Sequence, residues 1–329
     1  MEPVRRSPQA RLLALALLIV AAAVPAQDAN VTRPVDELEQ LLLAQPLRIE
    51  HAEISRPKAK GDITLKADVS FGGSAPLHVK LRKAAPGADS FNNVPRYDLA
   101  AYELQKLFVD PPEYLVPPTV LRFLPLADLR PYSPDVERTF AATDQVLTVM
   151  QYWLQDVTAL PDVYTPARFE SDAVYARHVG QLNVLTCLIR HRDSNLGNFL
   201  IGRAAQGPRL FSIDHGVAFA SADADRGELW KDLRVTRLPA DTVARLRLIT
   251  PATLESQLAV VAQWRLQDGQ FVPAPRGPNL APRRGVRRAG DQLQMGLTRM
   301  ELQSVAQQLA RLLQRIDRGE ITTFDGASR

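Results

Sequence analysis

The most informative segment is Leu188-Ile189-Arg190-His191-Arg192-Asp193-Ser194-Asn195-Leu196-Gly197-Asn198-Phe199-Leu200-Ile201. Leu182, Leu185 and Ile189 recur at helical spacing up to its start, and Phe199-Leu200-Ile201 leaves it as a short strand. The polar run His191 to Asn198 is therefore a loop pinned between two buried elements. A second apolar run, Leu210-Phe211-Ser212-Ile213, leads directly into Asp214-His215-Gly216, where the glycine allows a sharp turn. An Asp followed five residues later by an Asn on such a loop, Asp193 and Asn198, can put a carboxylate and an amide oxygen in one pocket, and Asp214 gives a second carboxylate at the end of an apolar strand.

The rest of the chain changes period along its length. Asp36 to Ala44 predicts a short helix through Leu38, Leu41 and Leu42. Leu47–Ile54, Ile63–Phe71 and Leu77–Leu81 read as strands separated by Gly61-Asp62 and Gly72-Gly73, which predicts a small antiparallel sheet. A helix is expected from Asp98 to Phe108, with Ala100, Leu104, Leu107 and Phe108 on one face and Asp98, Tyr102 and Gln105 on another. Two more strands, Thr119–Phe123 and Gln145–Trp153, follow prolines. From Glu301 the stripe Leu302, Val305, Leu309, Leu312 and Ile316 predicts a C-terminal helix packed on a core. The expected architecture is α+β and bilobal. A β-rich N-lobe (47–153) follows an N-terminal segment (27–46) and is joined near Tyr152 to Asp156 to a mainly helical C-lobe (154–329).

Composition narrows the function classes. At 329 residues, 46% hydrophobic and 23% charged, the chain has the balance of a globular protein. Its formal charge of +4 is too small over this length to argue for nucleic acid as a partner. The single cysteine, Cys187, excludes an intramolecular disulfide and a cysteine zinc cluster, and reads as a small core residue. Arg5, Arg6 and Arg11, the apolar stretch Leu12–Val24 and the small residues around Ala26 make residues 1–26 a signal peptide. Its removal takes away three arginines and Glu2. The expected mature protein is nearly neutral, exported to a periplasm or secreted, and keeps no transmembrane span. Between Gly269 and Gly290, Arg276, Arg283, Arg284, Arg287 and Arg288 occur with no acid. This Arg/Pro-rich insertion (269–290) is expected to be mobile and solvated; its functional alternative is contact with an anionic surface, lipid or acidic polymer.

Asp193, Asn198 and Asp214 form the set that phosphoryl transfer needs: an acid to orient an acceptor hydroxyl and two hard oxygen donors for magnesium. On Leu77-His78-Val79-Lys80-Leu81, alternation lets a sheet aim the Lys80 ammonium at nucleotide phosphates. Trp153, at the expected lobe junction, is read either as a wall of an adenine pocket or as core packing. His191 is read as a hydrogen bonder that fixes the loop, and Arg192 as a loop brace or a substrate contact.

In this arrangement the sequence resembles the protein-kinase-like superfamily. His191-Arg192-Asp193 with Asn198 matches H-R-D-x-x-x-x-N, and Asp214-His215-Gly216 stands where D-F-G is expected. The closer likeness is to its atypical branch: the secretory-pathway Fam20 kinases, the phosphatidylinositol 3-/4-kinases and the bacterial HipA-like kinases. Asp98-Leu99-Ala100-Ala101-Tyr102-Glu103-Leu104 and Val116-Pro117-Pro118 look like the corresponding helix and connection of Fam20. The resemblance, over roughly Ile63 to Phe219, implies ATP and Mg²⁺ (or Mn²⁺) between two lobes. It implies Lys80 on the phosphates, Asp193 as catalytic base, and Asn198 and Asp214 on the metal. The helix acid that pairs with the lysine falls on Asp98, with Glu103 as the substitute. The two stand about 140° apart around a helix, so only one can face Lys80. Arg56 to Gly61 holds a single glycine where protein kinases proper carry a glycine-rich loop. The implied function is an exported kinase transferring the γ-phosphoryl group of ATP to a hydroxyl of a protein, sugar or lipid. The alternative is a non-catalytic pseudokinase serving as a nucleotide-binding or scaffolding module.

Overall fold

A five-stranded antiparallel sheet dominates the N-terminal half, with strand order β1-β2-β3-β5-β4. The computed structural model describes residues 30–43, 46–55, 64–72, 75–91, 93–159, 162–193, 197–203, 209–219, 230 and 232–325. The expected signal peptide (1–26) and the Arg56–Gly61 stretch lie outside these residues. Helix α1 (Val35–Leu43) buries Leu38 and Leu42, one helical turn apart. Strands β1 (Leu47–Ile54), β2 (Thr64–Phe71) and β3 (Leu77–Lys83) follow. In β2 the burial of Leu65, Ala67, Val69 and Phe71 reproduces the period of two in the sequence.

Helix α2 (Pro95–Gln105) starts three residues before the expected Asp98, because Pro95 sits in its first turn, where the missing N–H has no intrahelical partner to lose. Every residue of α2 is buried, so its Asp98, Glu103 and Arg96 all need partners. Gln105 finds one in the backbone that follows. Its amide accepts from Leu115 N–H (2.7 Å) and Val116 N–H (2.8 Å) and donates to Val116 O (2.9 Å). Strand β4 (Thr119–Pro125), the short α3 (Leu126–Leu129) and strand β5 (Gln145–Tyr152) complete the sheet. β5 is buried at all positions because both faces are covered. Val146 and Met150 pack with Leu38 and Leu42 of α1, while Leu147 and Val149 join the cluster that contains α2.

Beyond Trp153 more residues lie in helices than in strands, and the region opens with β6 (Val157–Ala159), α4 (Pro166–Ser171) and α5 (Ala173–Ile189). Asp172 caps α5 by accepting from Tyr175 N–H at 3.0 Å, and Tyr175 through Ile189 are all buried. Strands β7 (Phe199–Gly202) and β8 (Leu210–Ser212) pair antiparallel and extend to β6. β9 (Arg237–Pro239), α6 (Ala240–Leu248) and α7 (Pro251–Leu258) lead into β10 (Ala262–Gln267) and β11 (Gln270–Pro273). β12 (Val286–Ala289), β13 (Gln292–Met295), the long α8 (Arg299–Asp317) and β14 (Thr322–Phe324), which pairs with β9, end the chain. The architecture is mixed α+β, with its strands concentrated early and its helices later. No helix among the described residues is long and apolar enough to cross a membrane.

The two ends of the arginine-rich segment 269–290 form β11 and β12 of the antiparallel sheet β11-β10-β13-β12, and of its five arginines Arg276, Arg283, Arg284 and Arg288 are exposed while Arg287 is buried. Arg287 is 1% exposed and donates to the carbonyls of Ala281 (3.1 Å), Ala259 (2.5 Å) and Leu297 (2.7 Å). Arg276 pairs with Glu103 at 3.3 Å, and the Arg288 guanidinium lies over the Phe271 ring. Composition alone could not separate an arginine that solvates a loop from one that satisfies buried carbonyls.

α8 is tied to α2 by a buried pair. Arg96 donates to both carboxylate oxygens of Glu301 (2.7 and 2.9 Å), and the Tyr97 hydroxyl also donates to Glu301. Glu301 additionally closes a capping box with Thr298. Burial alone would raise the Glu301 carboxyl, but the hydrogen bonds and charge of Arg96 outweigh it and hold it below the usual glutamate range. A depressed acid contributes stability that is present above its unfolded value of about 4.3 and is lost as the pH falls. Glu301→Gln is therefore expected to flatten the acid limb below about pH 4.3 in a plot of urea midpoint against pH. An acid limb unchanged from wild type would contradict the pair.

Candidate functional site

The site begins with the alternation of β3. Leu77, Val79 and Leu81 point into the core beside α1, and His78, Lys80 and Arg82 share the opposite face. Burial deepens along that face. His78 is exposed and pairs with Asp68, the Lys80 side chain is 12% exposed, and the Arg82 side chain is 4% exposed. Cross-strand register adds Lys66 on β2 directly opposite Lys80, with Gln151 of β5 on its other side.

Two carboxylates meet this face from separate elements. Arg82 bridges them: one guanidinium nitrogen donates to Asp98 of α2 and the other to Asp214, just after β8. The Lys80 ammonium lies 3.6 Å from the same Asp214 oxygen that Arg82 engages. Asp98 receives a further hydrogen bond, from His215 N–H at 3.0 Å. Burial drives the Asp98 carboxyl above its ordinary range, opposed first by Arg82 and then by Lys80.

The turn after β8 is built to present Asp214. Asp214 has φ +64°, a left-handed conformation that aspartate tolerates better than most residues. Gly216 has no side chain where the Arg82 guanidinium needs space; a Cβ there would lie 3.0 Å from its nearest nitrogen. Val94 N–H, just before α2, donates to Gly216 O at 3.2 Å and ties the turn to the helix entrance.

On the other strand, Ile213 N–H donates to Asn198 O at 3.0 Å, which extends the β7–β8 ladder and sets Asn198 beside the residue preceding Asp214. The Asn198 amide nitrogen donates to Asp193 O at 2.5 Å, so the side-chain oxygen is turned the other way. Beneath them, the buried rings of His191 and His215 lie 5.0 Å apart, tilted by 45°, and His215 meets the Ser212 hydroxyl at 2.9 Å. Burial pushes His191 down to about 4 and His215 well below the usual histidine range, so the layer under the two loops is uncharged at neutral pH.

The structure thus brings Lys80 to Asp214 and Asn198 to Asp193, and it joins Asp98 to Asp214 through Arg82. The helix acid's ion partner differs from the one expected: Asp98 pairs with Arg82, two residues beyond Lys80 on the same strand face. Glu103 turns to the far side of α2, where it meets Lys106 (2.8 Å), Gln257 (2.7 Å) and Arg276 (3.3 Å). Trp153 is half-buried just past β5, and the Lys66 ammonium sits 5.5 Å from its ring centroid. Ser194 to Leu196 of the central loop lie outside the described residues. Arg82 and Lys66 are the functional candidates that motif reading missed. The signal for Arg82 was present in the alternation Lys80, Leu81, Arg82, and that for Lys66 needed the strand register.

The side-chain oxygens of Asp214 and Asn198 are donors of the type a hard divalent ion prefers. Among the described residues no group of three or more His, Cys, Asp or Glu side chains converges. No family model matches the chain, and none of the curated proteins matches it.

Removing Arg82 strands a buried carboxylate, whereas removing Lys80 leaves Asp214 still paired. Arg82→Ala is expected to cost about 3–5 kcal/mol in urea unfolding and Lys80→Ala under about 1 kcal/mol. Equal costs would contradict the assignment of the buried pair to Arg82.

Proposed function

We propose that the chain is an atypical protein-kinase-like phosphotransferase of the exported class, which moves the γ-phosphoryl group of ATP to a hydroxyl acceptor. The observation that carries this reading is the meeting of Lys80 with Asp214, where a strand cation and a turn carboxylate face one another beside the Asp193–Asn198 loop. In this reading the sheet and α2 belong to an N-lobe, and α5 with the β7–β8 hairpin belongs to a C-lobe.

Each side chain has a positional task. Lys80 holds nucleotide phosphates and offsets their charge, and Lys66 on the same face extends that positive strip. Trp153 offers an aromatic wall near the outer end of the strip. Asn198 and Asp214 would hold Mg²⁺, which neutralises phosphate charge when bound. Asp193 orients the acceptor hydroxyl; a bond forms between its oxygen and the γ-phosphorus, the bond from that phosphorus to the β-bridging oxygen breaks, and ADP leaves. The acceptor proton passes to Asp193 or to water. A loose transition state asks little of the base, so positioning supplies most of the rate.

Thermal melts test the reading. A ligand that binds only the folded state adds about 2.7 kcal/mol at 100 times its Kd, so the chain should melt higher with ATP and Mg²⁺. Asp214→Ala should remove the metal-dependent part. No shift at millimolar nucleotide would overturn the proposal, and a shift without γ-phosphate turnover would favour the pseudokinase role.

A further inference from the structure

We infer that Arg283, Arg284 and Arg299, with Phe91, Leu280 and Met300 around them, form a surface that binds lipid bilayers carrying anionic headgroups. The inference stands apart from the phosphotransferase reading. Exposed arginines elsewhere in the chain are matched by acids: Arg138 by Asp144 (3.3 Å), Arg247 by Asp317 (2.5 Å) and Arg265 by Asp291 (3.3 Å). Arg283, Arg284 and Arg299 are exposed and make no ion pair among the described residues. The neighbouring acids Asp89 and Glu301 are already engaged by Arg96. Glu255 lines a cavity of about 280 Å³ together with Arg299 but does not pair with it.

Backbone bonds and buried side chains hold these residues in one place. Arg299 N–H donates to Pro282 O at 2.7 Å, which sets the start of α8 beside Arg283, and Arg284 N–H donates to Ala281 O at 2.9 Å. The buried Gln294 amide donates to Pro278 O (2.9 Å) and accepts from Leu280 N–H (3.0 Å). Arg96 joins Asp89 to Glu301 and so ties the segment carrying Phe91 to the residue after Met300. Six large apolar side chains are exposed among the described residues, and three of them are here: Phe91 (70%), Leu280 (39%) and Met300 (76%). Cations without acids of their own draw phosphates, and bare apolar tips beside them gain by entering the boundary between headgroups and acyl chains. A soluble acidic polymer would satisfy the arginines and leave those tips in water.

Sedimentation with vesicles tests this on the chain from Gln27 onward, which lacks the apolar Leu12–Val24 stretch that would itself enter a bilayer. The wild type is expected to bind vesicles of phosphatidylglycerol mixed equally with phosphatidylcholine and to leave pure phosphatidylcholine vesicles unbound. An arginine near an anionic surface is worth about fivefold in binding, so the triple variant Arg283→Gln, Arg284→Gln, Arg299→Gln should bind about a hundredfold more weakly. Met300→Ser should weaken binding with its salt dependence unchanged. A control triple variant, Arg138→Gln, Arg247→Gln, Arg265→Gln, removes the same charge from paired positions and should weaken binding far less. Both triple variants alter exposed side chains, so neither is expected to unfold the chain. Equal binding to the two vesicle types, or equal losses in the two triple variants, would overturn the inference. Capture by soluble polyglutamate without binding to vesicles would overturn the choice of a bilayer as partner.

Discussion

Asp98 is a carboxylate with almost no exposed surface in a helix buried along its whole length, and such a group is tolerable only with a cation and a hydrogen-bond donor against it. Arg82 supplies the cation and the His215 amide the donor. Because the same guanidinium also reaches Asp214, satisfying Asp98 fixes three elements at once: strand β3, helix α2 and the turn after β8. A second buried pair, Arg96 with Glu301, holds the start of α2 to α8. Helix α2 is thus clamped by ion pairs through Arg96 and Asp98, and the turn that carries Asp214 inherits its position from that clamp.

The layer beneath the site works by remaining neutral. His191 and His215 lie against each other and are buried, and burial keeps both uncharged at neutral pH. The charges that remain, on Lys66, Lys80, Arg82, Asp98 and Asp214, are gathered on the sheet face and the turn. Under the proposed function, a phosphate entering there would meet cations whose positions are set by backbone register. Preorganised charge of this kind lowers the reorganisation needed during phosphoryl transfer.

Local pattern made much of this legible. The period of two in β2 and β3, the buried helix ending at Ile189 and the capped stripe of α8 all appear where sequence spacing places them, because each has one face in the core. Asp193, Asn198 and Asp214 could be singled out because their loops are bounded by apolar runs. The partner of Asp98 was not legible. Lys80 and Arg82 lie on the same strand face, and only the distance along β3 at which α2 crosses decides between them. The four-stranded sheet of β10 to β13 was hidden for a different reason: its strands are short and rich in arginine and glutamine, and residues such as Arg287 and Gln294 are buried to satisfy backbone and side-chain groups.

An acyl-phosphate derivative of ATP transfers its acyl group to a lysine amine held against the nucleotide phosphates, so it reports the central contact of the account. Peptide mapping after brief exposure of the folded chain should find Lys80 acylated, with the label suppressed by excess ATP and Mg²⁺. Labelling spread over exposed lysines, with no ATP-protected modification at Lys80, would contradict the claim that β3 faces a nucleotide.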